Sequence, residues 1–179
     1  MKIIEDKNFL SKNSIYFIEN HIFATNFPFY LYHRTTTIDG DKNHWMGHVI
    51  IKRPEERSET DPLYNSDYAE NFINIFEDFV KKNKINCEEL LRCCVNLTFN
   101  TMGENCPTHE DHTYPHKQLI VYLNDCDKEA VTVLLDKSEK KKIAQITPEK
   151  YKGVCFDSGP HYMKFPKKDI RLAIIYTFR

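Results

Sequence analysis

The feature that most restricts the fold of this chain is a succession of short, closely spaced strand patterns after residue 90. In the first of them, Leu91, Cys93 and Val95 alternate with polar residues, so that one face of the strand is apolar. Further candidates, each four to nine residues long and rich in Val, Ile, Leu, Tyr or Phe, lie at 117–123, 130–135, 143–146, 153–157 and 170–178. Strands at this spacing predict a β-barrel or jelly roll.

The first ninety residues show a different pattern. Helices are predicted at 11–20 and at 66–83, the second with Ser66 and Asp67 as caps and with apolar side chains at spacings of three and four, namely Ala69, Phe72, Ile73, Phe76 and Val80. Strands are predicted at 27–37 and 45–51, a turn at 39–41, and a polar loop at 53–67. We therefore expect one mainly β (α+β) domain over 1–179, in which 1–90 supports a core formed by 91–179.

Charge and cysteine content exclude several classes of protein. Lys and Arg number 25 against 26 Asp and Glu, so no net positive charge attracts the chain to nucleic acid or to an anionic membrane. The first seven residues carry both signs of charge and no apolar run, which predicts neither a signal peptide nor a membrane span and favours a cytoplasmic location. Six cysteines without a CxxC motif are expected to be reduced, packed thiols. No oligomeric state is predicted.

Residues with metal-binding chemistry lie between the strands. His109 and Asp111 precede the strand at 117, and in extended backbone residues two apart project to the same side, so both can bind one ion. His161 follows the tight-turn sequence at 158–160, which can return a side chain to a strand end. Two imidazoles and one carboxylate leave coordination sites open, an arrangement that suits iron(II) oxygenases, whereas a closed tetrahedral set indicates structural zinc.

Arg171 stands within the otherwise almost wholly apolar strand at 170–178. Because a buried guanidinium without an anion is costly, we expect it to bind a carboxylate in two-point fashion. A salt bridge to an internal Asp or Glu is the alternative.

The order of these residues resembles the 2-oxoglutarate oxygenase superfamily, especially its prolyl 4-hydroxylase-like branch. The resemblance covers about 91–178 and includes the segment 120–125, similar to the Tyr-Leu-Asn strand of that branch, and 154–158, similar to the strand before its distal His. It implies a double-stranded β-helix (jelly roll) with supporting N-terminal helices. Residues 127–130 depart from the Gly-Gly-Glu-like segment of the branch, which weakens the inference of a substrate from prolyl hydroxylases but touches none of the iron or 2-oxoglutarate positions.

The resemblance also implies a chemistry. His109, Asp111 and His161 would bind Fe(II), Arg171 would pair with the far carboxylate of 2-oxoglutarate, and Tyr122 would add a hydroxyl to that carboxylate. The implied reaction uses O2, converts 2-oxoglutarate to succinate and carbon dioxide, and hydroxylates a C–H bond of a peptide side chain, an amino acid or a small metabolite.

Several alternatives stay open at this stage. His109, His112 and His116 could form a zinc cluster, but Pro115 argues against a helix that presents them together, and we favour His112 and His116 as loop or substrate-entrance residues. Other candidates for the pocket, which are more often ordinary sheet residues, are Trp45, His48, Arg92 and Asn96.

The rival functions are a nucleic-acid demethylase of the same superfamily and a non-catalytic, cupin-like metal- or ligand-binding jelly roll.

Overall fold

The computed structural model describes residues 1–101 and 103–179; Met102, to which the sequence assigns a packing role, lies outside them. The elements are β1 (Ile3–Asp6), α1 (Lys12–Phe17), a π-helical turn (Ile18–Ile22), β2 (Tyr30–Tyr32), β3 (Trp45–Ile51), a 3-10 turn (Pro54–Glu56), α2 (Ala69–Lys82), β4 (Leu90–Thr98), β5 (Lys117–Tyr122), β6 (Thr132–Leu135), β7 (Lys142–Ile146), β8 (Gly153–Asp157), β9 (His161–Met163) and β10 (Arg171–Phe178).

In the described part of the chain the strands form two antiparallel sheets. The larger has the order β1-β8-β5-β10-β4-β3-β2, and the smaller has the order β7-β6-β9. Strand β10 lies between β4 and β5, with Ile174 opposite Val95 on one side and Val121 on the other. Strands that lie next to each other in the sheet but far apart in the chain are typical of a jelly roll, and the predicted mainly β fold is confirmed.

The two faces of the large sheet have different partners, as the alternation of side chains along β10 shows. Leu172, Ile174 and Tyr176 pack in one apolar cluster with helix residues such as Phe72 and Phe76. Ala173 and Ile175 face the small sheet and pack in a second cluster with Ile120, Leu134 and Val154. Arg171 belongs to the face of Ala173 by this period of two, so the sheet directs its guanidinium between the sheets, away from the helices.

Helix α2 keeps the predicted apolar face but begins later than predicted. Phe72, Phe76 and Val80 are buried, together with Ile75 and Phe79. Ser66 does not cap the helix, because its hydroxyl accepts a hydrogen bond from the Tyr68 amide and contacts His48 Nε2 at 2.8 Å. The predicted caps therefore belong to a turn before the helix. In contrast, helix α1 is capped by Ser11, whose side chain accepts from the Ser14 amide.

Three strands differ from the sequence prediction. Strand β2 spans three residues rather than 27–37, because Pro28 lacks an N–H group and Thr35 and Thr36 turn back to bond the Asp41 carboxylate. Strands β1 and β9 were not predicted. The first has two apolar residues followed by two acidic ones, without alternation, and pairs with β8. The second has only three residues, too few for a periodic pattern.

The six cysteines are free, and four of them are buried, which agrees with the predicted packed thiols. Within the described residues, the helices are too short or too polar to cross a membrane.

Candidate active site

The backbone joins the two candidate histidine ligands directly. His109 and His161 form an antiparallel bridge, in which the His109 amide donates to the His161 carbonyl at 2.9 Å and the His161 amide donates back at 3.0 Å. This bridge lies beside the pairing of β9 with β6 and brings the imidazole centroids to 4.6 Å. The predicted extended backbone at His109 and the return of the chain after the turn at 158–160 explain why the two rings meet.

Hydrogen bonds to the backbone define which nitrogen of each ring is free. Nδ1 of His109 lies 2.9 Å from the Pro107 carbonyl oxygen, and Nδ1 of His161 lies 3.0 Å from the Gly159 carbonyl oxygen. A carbonyl oxygen only accepts, so each Nδ1 carries the proton and each Nε2 keeps its lone pair. Such a backbone contact orients histidines that bind metals.

The third candidate ligand, Asp111, is buried and has one oxygen in use. Its Oδ1 accepts hydrogen bonds from Arg53 at 2.5 Å and from Arg92 at 3.1 Å. Among the described residues, its Oδ2 has no hydrogen-bond partner and lies 3.6 Å from Nε2 of His161. Burial alone would raise the pKa of Asp111, but the Arg92 guanidinium, with smaller contributions from His161 and Arg53, holds it well below the usual range.

These three side chains have the composition that a divalent cation requires. One ligand atom from each of His109, Asp111 and His161 can be chosen so that all lie within 4.8 Å of one another. Burial and the neighbouring His109 imidazole lower the pKa of His161 to about 4, so its ring is neutral at pH 7. An ionised carboxylate oxygen and imidazole lone pairs therefore converge without a proton between them. Two imidazoles and one carboxylate that line an open cavity fit iron(II).

Arg171 lies in the same cavity and is buried without an acidic partner. One guanidinium nitrogen donates to the Thr132 hydroxyl at 3.0 Å and another contacts Met163 Sδ, whereas Nε has no partner in the described chain. No salt bridge to Arg171 is found among the described residues, so the internal ion pair considered as the alternative is not observed. A buried cation in this state is suited to an anionic ligand.

Tyr122 lies next to Arg171 and Thr132. Its hydroxyl lies 3.1 Å from the Thr132 hydroxyl, and its ring centroid lies 5.1 Å from the guanidinium carbon of Arg171. A direct bond from Tyr122 to a bound carboxylate stays a prediction. Thr132, which sequence analysis did not single out, contacts both residues and lines the cavity. Its side chain is part of an ordinary strand pattern, so nothing in the sequence marked it.

Other predicted pocket residues divide into two groups. Trp45, Arg92 and Asn96 line the cavity, whereas His48 lies elsewhere and contacts the Pro28 carbonyl and Ser66. The lining residues that sequence analysis missed include Thr35, Arg53, Gln118 and Met163. Arg53 was assigned to a polar loop, and only the position of Pro54 after it, at the start of a 3-10 turn, could have indicated a defined backbone there.

His112 and His116 do not join the metal ligands, so the zinc cluster with His109 is wrong. Both are buried residues of the loop before β5, which agrees with the predicted loop placement, and a role at a substrate entrance stays a prediction. His112 contacts Glu55 through Nδ1 at 3.0 Å and the Thr177 hydroxyl through Nε2 at 2.7 Å, which occupies both of its nitrogens. His112 therefore links the segment that carries Asp111 to the 3-10 turn and to β10.

Comparison with solved structures shows which fold this is. The chain is similar to an oxidoreductase of the 2OG-Fe(II) oxygenase family from Burkholderia pseudomallei, with a TM-score of 0.74 and 12% identity over 98% of this chain and 84% of that one. It is also similar to a prolyl hydroxylase from Trichoplax adhaerens in complex with a hypoxia inducible factor peptide fragment, with a TM-score of 0.62 and 15% identity over 98% and 82%.

The chain has the fold of the 2-oxoglutarate/Fe(II) oxygenases. The predicted resemblance, including that to prolyl hydroxylases, is confirmed at the level of this fold. The same fold is found in the non-haem alpha-ketoglutarate dependent epimerase SnoN from nogalamycin biosynthesis, with a TM-score of 0.58 and 12% identity over 99% of this chain and 77% of that one. The oxygenase fold therefore hosts more than one reaction. No protein-family model and no curated protein matches the sequence.

Proposed function

We propose that this chain is an Fe(II)- and 2-oxoglutarate-dependent oxygenase that hydroxylates a C–H bond of a peptide side chain, an amino acid or a small metabolite. One observation carries the proposal. The unpartnered Oδ2 of Asp111, close to two imidazole lone pairs, and the buried, acid-free guanidinium of Arg171 line the same cavity. A dicarboxylate that chelates a metal at the first site can place its other carboxylate against Arg171 in the same cavity.

His109, Asp111 and His161 would hold the iron. Bound iron(II), with O2 and 2-oxoglutarate, supplies the oxidation that releases succinate and carbon dioxide and hydroxylates the substrate. The protein contributes position: carbonyl contacts hold both imidazoles with Nε2 directed away from the backbone, and Asp111 stays ionised beside its arginines.

At the other end of the cosubstrate, Arg171 would bind the far carboxylate. Its Nε is free, and the Thr132 hydroxyl beside it can donate a further hydrogen bond. Ile120 and Ile175 line the cavity with apolar surface, which limits the water that competes for these contacts.

The test is an anaerobic titration of the Fe(II)-loaded protein with 2-oxoglutarate, which follows the weak visible charge-transfer band of the chelated cosubstrate. We expect a saturable band that is lost in Asp111→Ala and is reached only at much higher 2-oxoglutarate in Arg171→Ala. Arg179→Ala is the matched control, because Arg179 pairs with Glu89 on the surface.

Each result separates the candidate functions. A band with turnover of 2-oxoglutarate to succinate supports the oxygenase. Absence of the band, with zinc retained by the protein, would favour the cupin-like binding protein. A cytoplasmic location and the absence of nucleic-acid binding stay predictions; retention on DNA or RNA at physiological salt would revive the demethylase.

A further inference from the structure

Two more guanidinium groups lie at the opening of the metal site. Arg53 comes from the segment after β3 and Arg92 from near the start of β4, and both donate to the same oxygen of Asp111. Their side chains are 21% and 13% exposed, against 3% for Asp111. One buried carboxylate is thus shared by two cations that still reach the cavity.

The charge of the cavity is not balanced by the residues that line it. Its lining includes Arg53, Arg92 and Arg171, and Asp111 is its one acid among the described residues. Under the proposed function, one iron(II) and one 2-oxoglutarate dianion cancel each other's charge. Two positive charges therefore remain in the loaded site, and their partial burial strengthens the demand for a counter-anion.

Holding Asp111 in place does not account for both arginines. A single guanidinium can satisfy Oδ1, while a second like charge beside the first is unfavourable. Two adjacent cations are stable when an additional anion lies between or against them.

The remaining N–H groups of these arginines are accessible. Within the described chain, each arginine side chain donates one hydrogen bond to another side chain, that of Asp111. The other nitrogens of the two guanidinium groups are not fully buried. These nitrogens therefore meet solvent in the cavity. A guanidinium fork of this kind fits the oxygens of a carboxylate or phosphate.

Nearby acids do not fill this role. Glu55 contacts His112, and Glu56 is exposed and forms no ion pair with Arg53 or Arg92 among the described residues. Both lie in the 3-10 turn and do not line the cavity that holds Arg171; with Glu110 they line an adjoining surface depression on the other side of Arg53 and Asp111. Solvent screens their effect on a ligand in the cavity.

We propose that Arg53 and Arg92 bind an anionic oxyacid group, a carboxylate or a phosphate, on the primary substrate. This inference rests on the proposed function and names its substrate class: a small anionic molecule. Because both arginines touch a metal ligand, the anionic group lies close to the metal, and the C–H bond that reacts is only a few bonds away from it. A neutral side chain within a long peptide lacks the group that these arginines would bind.

The experiment uses the anaerobic Fe(II) protein at saturating 2-oxoglutarate. Phenyl phosphate, benzoate and benzamide, which share one ring and differ in charge, are titrated while the charge-transfer band is recorded. We expect phenyl phosphate and benzoate to shift the band saturably without reducing its amplitude, and benzamide to have no effect at tenfold higher concentration. A loss of amplitude would show displacement of 2-oxoglutarate and would overturn the proposal.

Variants then assign the effect to the two arginines. Arg53→Gln and Arg92→Gln are each expected to weaken binding of the anionic probes about tenfold or more while the 2-oxoglutarate affinity stays within about threefold, since one charge-assisted hydrogen bond contributes this much. Each single variant leaves Asp111 one arginine, so folding is preserved. Arg53→Lys should restore part of the affinity, and Arg179→Gln should change nothing.

Besides a loss of amplitude, three results would overturn the inference. The first is equal binding of benzamide and benzoate. The second is a raised 2-oxoglutarate requirement in Arg53→Gln or Arg92→Gln with unchanged probe binding, because the arginines would then serve the cosubstrate or only position Asp111. The third is a normal 2-oxoglutarate band without any response to the anionic probes. Failure of the proposed function is distinct, since the wild-type protein would then show no band at all.

Discussion

The two ends of the cavity use arginine in opposite ways. At the inner end, Arg171 projects from the central strand β10, is buried, and has a hydroxyl and a thioether as its hydrogen-bond partners among the described residues. At the outer end, Arg53 and Arg92 are partly exposed and share the carboxylate of Asp111. Among the described residues the inner cation thus has no acidic partner, whereas the outer cations share one and have further N–H groups.

The supports of the two ends also differ. The inner end stands on paired strands, with Thr132 on β6 and Tyr122 on β5. Apart from Arg92 on β4, the outer end depends on segments between strands, which polar side chains hold in place: Asp41 accepts hydrogen bonds from Thr35, and His112 joins Glu55 to Thr177. We infer that the inner end is fixed by the fold, and that the outer end can be altered by single polar substitutions.

The largest expected effect is that of Asp111→Ala on the metal-free protein. Removing the carboxylate leaves Arg53 and Arg92 side by side without an anion, and we expect the free energy of unfolding to fall by about 2–3 kcal/mol, below the value for fully buried pairs because both arginines are partly exposed. Urea denaturation measures this change. His161→Ala should also abolish iron binding but strand no charge, and equal destabilisation by the two variants would contradict the expected outcome.

Arg171→Met should separate binding from stability at the inner end. We expect the 2-oxoglutarate affinity to fall about 100-fold, since the equivalent of two charge-assisted hydrogen bonds is lost. Because the guanidinium is buried without an acid, the metal-free protein should unfold at an unchanged or higher urea concentration. A clear loss of stability would show that Arg171 has an internal structural role instead.

Thr177→Val and Thr132→Val form a matched pair across the two ends. Thr177→Val leaves Nε2 of the buried His112 without its partner, and we expect a cost of about 1–2 kcal/mol with weaker binding of the phenyl phosphate probe. Thr132→Val should weaken 2-oxoglutarate binding instead and leave the probe affinity unchanged. If both variants shifted both affinities equally, the two ends would not be independent.

The smallest expected effect is the pH dependence of the stability that Asp41 contributes at the outer end of the cavity. Burial alone would raise the pKa of Asp41, but hydrogen bonds from Asn43, Thr35 and Thr36 lower it to about 2, from 3.8. A depressed carboxyl pKa contributes stability above pH 4, about 2 kcal/mol at most, which is lost as the pH falls toward 2. The difference in unfolding free energy between the protein and Asp41→Asn should therefore shrink by about half between pH 6 and pH 3. A constant difference would mean that Asp41 titrates normally.

Much of the fold was predictable because its signals are local. The alternation at 91–98 predicted one apolar core face, and the structure places Cys93 and Val95 of that face toward the helices and Arg92 and Asn96 toward the cavity. A period of two needs only a few residues to be recognised, and a buried face enforces it. The strands that were missed, β1 and β9, are short and acquire their backbone partners only from distant segments.

The sequence by itself determined the chemical inventory and the direction of the key side chains: His109 and Asp111 two apart in extended backbone, His161 after a tight turn, and Arg171 in an apolar strand. Only the tertiary structure decided what surrounds them. It brought Arg53 to Asp111 across 58 positions and Thr132 to Arg171 across 39. Periodicity reports which face of a strand a residue occupies, whereas contacts between loops and sheets depend on how the whole chain closes, and no local pattern records that closure.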